Sequence, residues 1–160
     1  MTWIYQGKPF EDDMIGENYG FVYNITCTVT GQRYIGRKYF WSRRTLPPLK
    51  GKTRKRHTKY PSNWKEYWSS SKIVAREIEK YGYEKFTREI ISLHPDKRET
   101  NYHEIALQFH LNVLEARNEN GERIYLNENI VQRFFPSQKH GDKRTALHEE
   151  YRAMADQKDM

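Results

Sequence analysis

Between Glu17 and Glu66 the chain has no acidic residue, and residues 33–65 carry twelve lysines and arginines. A run of that size repels itself, and Pro47, Pro48, Gly51 and Pro61 interrupt it, so it reads mostly as a basic loop with room for one helical turn. The rest of the chain holds 16 basic and 21 acidic residues, a balance of −5, so this window alone makes the protein basic, at +7 overall. Tyr34, Tyr39, Phe40, Trp41, Tyr60 and Trp64 are interleaved with the cations. Cations neutralise phosphates and aromatic rings stack on bases or sugars, so the window points to a polyanionic partner rather than to an idle solvated loop. A membrane surface is disfavoured, because the prolines and the glycine break any continuous amphipathic helix.

The core has to come from elsewhere. Leu, Ile, Val and Phe number 31 of 160 residues, which at this net charge borders on the composition of disordered chains. Twelve tyrosines and four tryptophans change that balance, since each large aromatic ring buries about 150–250 Å². The expectation is one small, aromatic-rich folded domain. No apolar run reaches the 18 or so residues of a membrane span, and no signal-peptide core follows Met1. Cys27 has no second cysteine to pair with, which suits a reducing, cytoplasmic compartment.

Along the chain, residues 1–17 read as an irregular or edge-covering arm. Residues 19–26 and 32–38 read as two strands joined by a short connection ending in Gly31, an antiparallel hairpin. A helix is expected over 71–81, capped by Ser70 or Ser71, with Val74, Ile78 and Tyr81 on one face and Gly82 at its end. Residues 86–93 alternate as a third strand. The longest helix is expected over 101–117, opened by Asn101 with Glu104 three positions on, in the pattern of a capping box. Residues 123–127 read as a short extended piece, and 136–160 as a polar tail with one helix over 145–155. The fold class is α+β: a small, three-stranded, mostly antiparallel sheet flanked by helices.

Several chemistries are missing. There is no CxxC pair, and the six histidines (57, 94, 103, 110, 140 and 148) never stand four apart, so no zincin helix is present. Neither a G-x-S-x-G elbow nor a glycine-rich nucleotide loop occurs. What stands out is Gly20-Phe21-Val22-Tyr23 on the first strand and Tyr34-Ile35-Gly36 on the second, with the two tyrosines 11 positions apart across the hairpin. Further on come Tyr67-Trp68-Ser69-Ser70-Ser71-Lys72, then Ile78 to Gly82, Phe86, and Arg88 to Ile91. Glu104 follows on the next helix, and Asn127 follows Tyr125-Leu126.

In these motifs the chain resembles the GIY-YIG nuclease superfamily, and among its members the Seg-type phage endonucleases. The likeness runs from about Tyr19 to Ile130, with Phe-Val standing where the first motif usually has Ile. It implies a nuclease domain over 18–135 carrying a basic insertion at about 39–63. It also implies a DNA endonuclease dependent on Mg²⁺ or Mn²⁺, acting on DNA expected to be double-stranded, in the host cytoplasm if phage-encoded. By the resemblance Tyr23 activates or orients the attacking water, Tyr34 positions water or phosphate, Glu104 holds the metal and Asn127 supports the site. The family's phosphate-contacting arginine fits Arg44 best by spacing, with Arg43 and Arg37 as rivals. Lys38 belongs near the scissile phosphate, and Arg37, Lys38, Arg43, Lys52, Arg54, Lys55, Arg56 and Lys72 are the candidate nucleic-acid contacts.

The chemistry of phosphodiester hydrolysis suits this set. A metal and an arginine offset charge developing at the phosphate, and one carboxylate suffices for one metal but not for a two-metal clamp. A phenol with a pKa near 10 needs that value lowered to act as a base; otherwise it only orients water. Each residue also has a plain reading. Tyr23 and Tyr34 suit a sheet core, Glu104 a helix cap, Asn127 a turn, and Arg44 a solvated surface. Trp64, Tyr67 and Trp68 suit a core better than a base-stacking surface. A nucleic-acid-binding module that keeps the fold without cutting is the alternative function, and an RNA-associated protein a weaker one. Only 25–30 residues follow Ile130, too few for a separate DNA-recognition domain, so specificity is expected from this domain, its insertion or a partner.

Overall fold

A computed structural model of the chain describes residues 2–131 and 141–157. Its centre is the expected hairpin, β3 (Gly20–Cys27) against β4 (Arg33–Tyr39). The turn closes with the Gly31 N–H donating to Cys27 O at 2.8 Å, and Gly31 takes a φ of +76°. That is a left-handed conformation which glycine adopts without strain. On β3's other side runs β7 (Phe86–His94), also antiparallel.

The sheet has five strands, not three. Two short strands from the N-terminal segment, β1 (Ile4–Tyr5) and β2 (Lys8–Pro9), extend it in the order β2-β1-β7-β3-β4. Because β1 runs parallel to β7, the sheet is mixed. A two-residue strand has no periodicity to read, so the expected arm hid an edge. What holds β1 there is side-chain anchoring: Trp3 and Phe10 are buried, and Trp3 Nε1 donates to Trp64 O at 2.7 Å.

The two faces of β3 are both covered. Phe21, Tyr23, Ile25 and Cys27 pack with Trp3, Phe86, Ile90 and Trp64, together with Val74 and Ile78 of α1 (Lys72–Tyr81). Val22 and Ile35 face the other way, onto Leu107, Leu111 and Val113. Helix α1 starts and stops where its caps dictate, with Ser71 accepting from Val74 N at 3.4 Å and Gly82 after its last residue.

Helix α2 (Lys97–His110) begins four residues before the expected start. Its N-cap is Asp96, which accepts from Glu99 N at 2.7 Å, and Asn112 in a left-handed conformation (φ 53°) follows its end. Both Asp96 and Asn101 can cap a helix, and tertiary docking against β4 selects the earlier one. Asn101 and Glu104 therefore sit in mid-helix, both largely buried, and Glu104 is not half of a capping box.

The basic window holds more order than a loop. Strands β5 (Trp41–Leu46) and β6 (Arg56–Pro61) pair as an antiparallel ribbon outside the main sheet. Both faces of the ribbon are polar and solvated, so its sequence lacks the alternation that marks a half-buried strand.

Residues 123–127 lie extended along the outer edge of β4, where Tyr125 bridges Arg33 in parallel. Of the polar segment expected over 136–160, residues 136–140 and 158–160 lie outside the described ones. Within it, α3 (Gly141–Asp156) packs on α2: Arg144 pairs with Glu99 through Nε (3.1 Å) and Nη2 (2.9 Å), and the Tyr151 hydroxyl meets His103 Nδ1 at 2.9 Å. No helix among the described residues is long and apolar enough to cross a membrane.

Candidate active site

The register of the hairpin sets Tyr23 opposite Gly36. The Tyr23 ring lies across that glycine, and a Cβ there would stand 2.9 Å from Tyr34 Cε1 and nearer still to the Tyr23 ring. Close approach of two aromatic rings, not an unusual φ, is what position 36 requires. The rings of Tyr23 and Tyr34 stand 6.3 Å apart between centroids, and Tyr67 meets Tyr23 edge-on at 6.1 Å.

Successive residues of β4 point to opposite faces of the sheet, yet Arg37 and Lys38 line the same cleft because β4 is the outermost strand. On the α2 side, Arg37 Nη1 donates to Glu104 Oε1 at 2.6 Å and Arg37 Nε donates to the Tyr39 hydroxyl at 3.1 Å. Tyr39 in turn donates to Asn101 Oδ1. On the α1 side, Lys38 Nζ stands 4.1 Å from the centre of the Tyr67 ring and donates to Asn63 Oδ1 at 2.8 Å. Tyr23, Tyr34, Arg37, Lys38, Tyr67 and Glu104 thus share one cleft of about 350 Å³.

Asn127 works from behind. It is 2% exposed, its Oδ1 accepts from Ile35 N at 3.1 Å and its Nδ2 donates to Ile35 O at 2.8 Å. The side-chain amide thereby stands in for the peptide of a further strand and pins the backbone between Tyr34 and Gly36. Gln108 Nε2 donates to the same carbonyl at 3.0 Å.

Burial dominates the electrostatics. It pushes the Tyr23 phenol well above its ordinary range, with Tyr67 and Tyr34 adding to the rise and a hydrogen bond from Ser69 opposing it. Tyr34 is raised for the same first reason, again against Ser69. Glu104 is raised by burial, which prevails over the charge and hydrogen bonds of Arg37. Burial acts to lower Arg37, but Glu104 and Tyr39 outweigh it and the guanidinium ends above its usual value. Lys38 is lowered by burial alone.

The other expected residues lie elsewhere. Arg43 and Arg44 are on β5, with the Arg44 guanidinium 5.2 Å from the centre of the Tyr60 ring. Arg56 is on β6, and its Nε donates to Pro47 O at 3.2 Å; Lys52, Arg54 and Lys55 stand on the connection between the strands. Lys72 opens α1 and is exposed. None of these lines the cleft.

From the sequence, Tyr67 reads as a core ring and Ser70 as a possible helix cap, while Ser69 and Asn63 carry no role. They belong to a segment about thirty residues downstream of Tyr34. The signal there is the Tyr67–Lys72 motif itself, to which the sequence attaches no catalytic role. Ser69 is held at φ 86°, unusual for a residue with a side chain, and its Oγ accepts from Ser71 N at 3.0 Å. The segment is anchored by Arg88, buried between Trp3 and Trp68 with its guanidinium 4.7 and 4.2 Å from their rings. Arg88 Nη1 donates to Lys65 O at 3.0 Å and Tyr67 O at 2.8 Å. Burial lowers its pKa to about 10, against the pull of Glu66.

Among the described residues no three His, Cys, Asp or Glu side chains gather as a ready-made metal cage. Glu104 is, among the described residues, the one carboxylate lining the cleft. A hard cation that keeps several waters and takes further oxygens from a phosphate fits such a donor set.

A family model described as "Putative endonuclease segE, GIY-YIG domain" matches residues 3–130. No curated protein and no solved structure matches the chain.

Proposed function

The chain belongs to the GIY-YIG family, in its SegE branch, and from that premise we propose that it is a metal-dependent endonuclease hydrolysing phosphodiester bonds of double-stranded DNA. The observation that carries the reading is the convergence of Tyr23, Tyr34, Arg37, Lys38 and Glu104 on one cleft, two cations and a carboxylate facing two phenols. Glu104 holds Mg²⁺ or Mn²⁺, which when bound supplies polarisation of the phosphoryl group and stabilisation of the leaving oxygen.

The protein's own groups do the rest. Arg37 already stands at Glu104, so its guanidinium lies where charge accumulates on a phosphate bound beside that carboxylate. Arg37, rather than Arg44 on the ribbon, is therefore our phosphate-contacting arginine. Lys38, held between Asn63 and the Tyr67 ring, takes a second phosphate oxygen. Burial keeps the phenols of Tyr23 and Tyr34 protonated at neutral pH, which supports hydrogen bonding to water and phosphate rather than proton abstraction. Asn127 keeps the Tyr34–Gly36 backbone in register.

Nicking of supercoiled plasmid with Mg²⁺ tests this. Glu104→Ala, Tyr23→Phe and Arg37→Ala are each expected to cut on the order of 10²-fold more slowly than the parent. Parental rates for Glu104→Ala or Tyr23→Phe would sink the site assignment. Duplex binding without cleavage in Mg²⁺ or Mn²⁺ would instead make the chain a binding module on a nuclease fold.

A further inference from the structure

The ribbon β5–β6 is out of proportion to anything the cleft needs. Between Trp41 and Pro61 lie eight cations and no acidic residue, and every residue of β6 is exposed. A free two-stranded hairpin is marginal in water, yet this one is rooted firmly. Phe40, at its base, is buried, Ser62 N donates to Phe40 O at 2.9 Å, and Ser62 Oγ donates to Tyr39 O at 2.6 Å. The root also adjoins the cleft, since Lys38 and Tyr39 line it immediately before the ribbon and Asn63 holds Lys38 immediately after.

The pairing register separates two faces. One carries Ser42, Arg44 and Leu46 with Arg56, Thr58 and Tyr60; the other carries Trp41, Arg43 and Thr45 with His57 and Lys59. On the first face the arginines are engaged within the ribbon, Arg44 against Tyr60 and Arg56 on Pro47 O. On the second, Arg43 stands directly opposite Lys59. Like charges facing each other across a ladder destabilise it, and no carboxylate lies anywhere in the ribbon to relieve them. Lys59 rests over the Trp41 ring at 4.4 Å and Thr45 Oγ1 stands 3.4 Å from His57 Nδ1, whereas the Arg43 side chain beside them is exposed.

We infer that the ribbon enters the major groove of duplex DNA, Arg43–Lys59 face inward, and that Arg43 reads guanine there. Two strands about 4.8 Å apart fit a groove about 12 Å wide and 8.5 Å deep. Six paired residues extend about 20 Å, and at about 3.4 Å of rise per base pair that length lies along roughly six base pairs. A guanidinium donates two parallel hydrogen bonds to guanine O6 and N7, and the Thr45 methyl suits a thymine methyl. Lys50, Lys52, Arg54 and Lys55, on the connection, meet the phosphates that wall the groove. This rests on the reading of duplex DNA as substrate and adds to it the source of sequence preference, carried by an element outside the cleft.

Methylation interference on a mixed-sequence duplex, bound in EDTA so that no metal-dependent cutting runs, is the test. N7-methylation of guanines within about six base pairs is expected to weaken binding by about tenfold or more. Arg43→Lys keeps the charge but lacks the planar fork, so it is expected to hold the parental salt dependence while weakening the guanine interference. That variant preserves the ribbon's charge pattern if Arg43→Ala fails to fold. Interference at adenine N3 in the minor groove, guanine interference undiminished by Arg43→Lys, equal affinity for an RNA duplex of the same sequence, or no duplex binding at all would each overturn the inference. Guanine interference in a protein that never cuts with Mg²⁺ or Mn²⁺ would leave it standing and remove the nuclease reading. Cutting without interference would do the reverse.

Discussion

Gly36 shows how far a single missing side chain reaches. Its lack of a Cβ lets the Tyr23 ring lie over β4 and meet Tyr34, so the two phenols share a cleft instead of being held apart by a side chain between them. Gly36→Ala has to displace a ring that is only 1% exposed and packed against Trp3, Phe21, Tyr34 and Tyr67. The expected outcome is a loss of roughly 1–3 kcal/mol in denaturant unfolding together with a fall in nicking like that of Tyr23→Phe. Parental stability and activity would mean the rings are not held as described. The tyrosine pair and its glycine were legible in the sequence because a hairpin's register is local, with both motifs inside seventeen residues. The Arg37–Glu104 contact was not. Those residues are 67 positions apart, and only the docking of α2 on β4 brings them to 2.6 Å. Spacing along the chain therefore favoured Arg44, which the strand carries away on the ribbon.

Elements differ in how well they announce themselves. Helix α1 has both caps and one apolar face, and its bounds follow from them. Helix α2 has two residues able to cap it, and the ribbon has polar faces on both sides; for these, propensity is ambiguous and tertiary packing decides. Helix α3 is polar in composition, yet it docks through side-chain hydrogen bonds: Arg144 to Glu99, Tyr151 to His103, and His148 to both Tyr102 (3.0 Å) and His110 (2.6 Å). A hydrogen bond between two imidazoles needs one neutral ring to accept it. Burial lowers His148, with His110, Arg152 and Arg144 pressing the same way, and burial lowers His110, helped by Arg152. A histidine whose folded pKa is depressed stabilises the fold above its unfolded value of 6.5, and that stabilisation is lost as pH falls through the lower folded value. Acidification below about 6.5 is thus expected to loosen α3 before the sheet, seen as amide protection factors over 141–157 that fall while those of the sheet hold. His148→Ala should weaken that pH dependence, leaving the share that burial and Arg152 impose on His110. Uniform protection across the same range would refute it.

At the scale of the whole molecule the charge is divided, twelve cations in one window against a balance of −5 elsewhere. Fields of opposite sign on one small body orient it before contact, the basic ribbon leading. If the eight ribbon cations lie on phosphates and groove edges, affinity for duplex DNA should fall on the order of 10⁴-fold between about 50 and 200 mM salt. Replacing Lys52, Arg54 and Lys55 with glutamine should flatten that dependence by nearly three counterions. Titrations at several salt concentrations measure this, and a slope indifferent to the triple change would place the DNA elsewhere. By itself the sequence determined what depends on neighbours in the chain: the tyrosine hairpin, α1, the third long strand, the family and the polyanionic character of the partner. Only the tertiary structure decided that the N-terminal segment widens the sheet to five strands, that the basic window is a ribbon, that Arg37 rather than Arg44 stands at Glu104, and that Tyr67 lines the cleft. The division has a physical cause. Caps, turns and hairpin registers are settled by interactions within a few residues. Which side chains meet across the edge of a sheet is settled by burial of surfaces drawn from the whole chain.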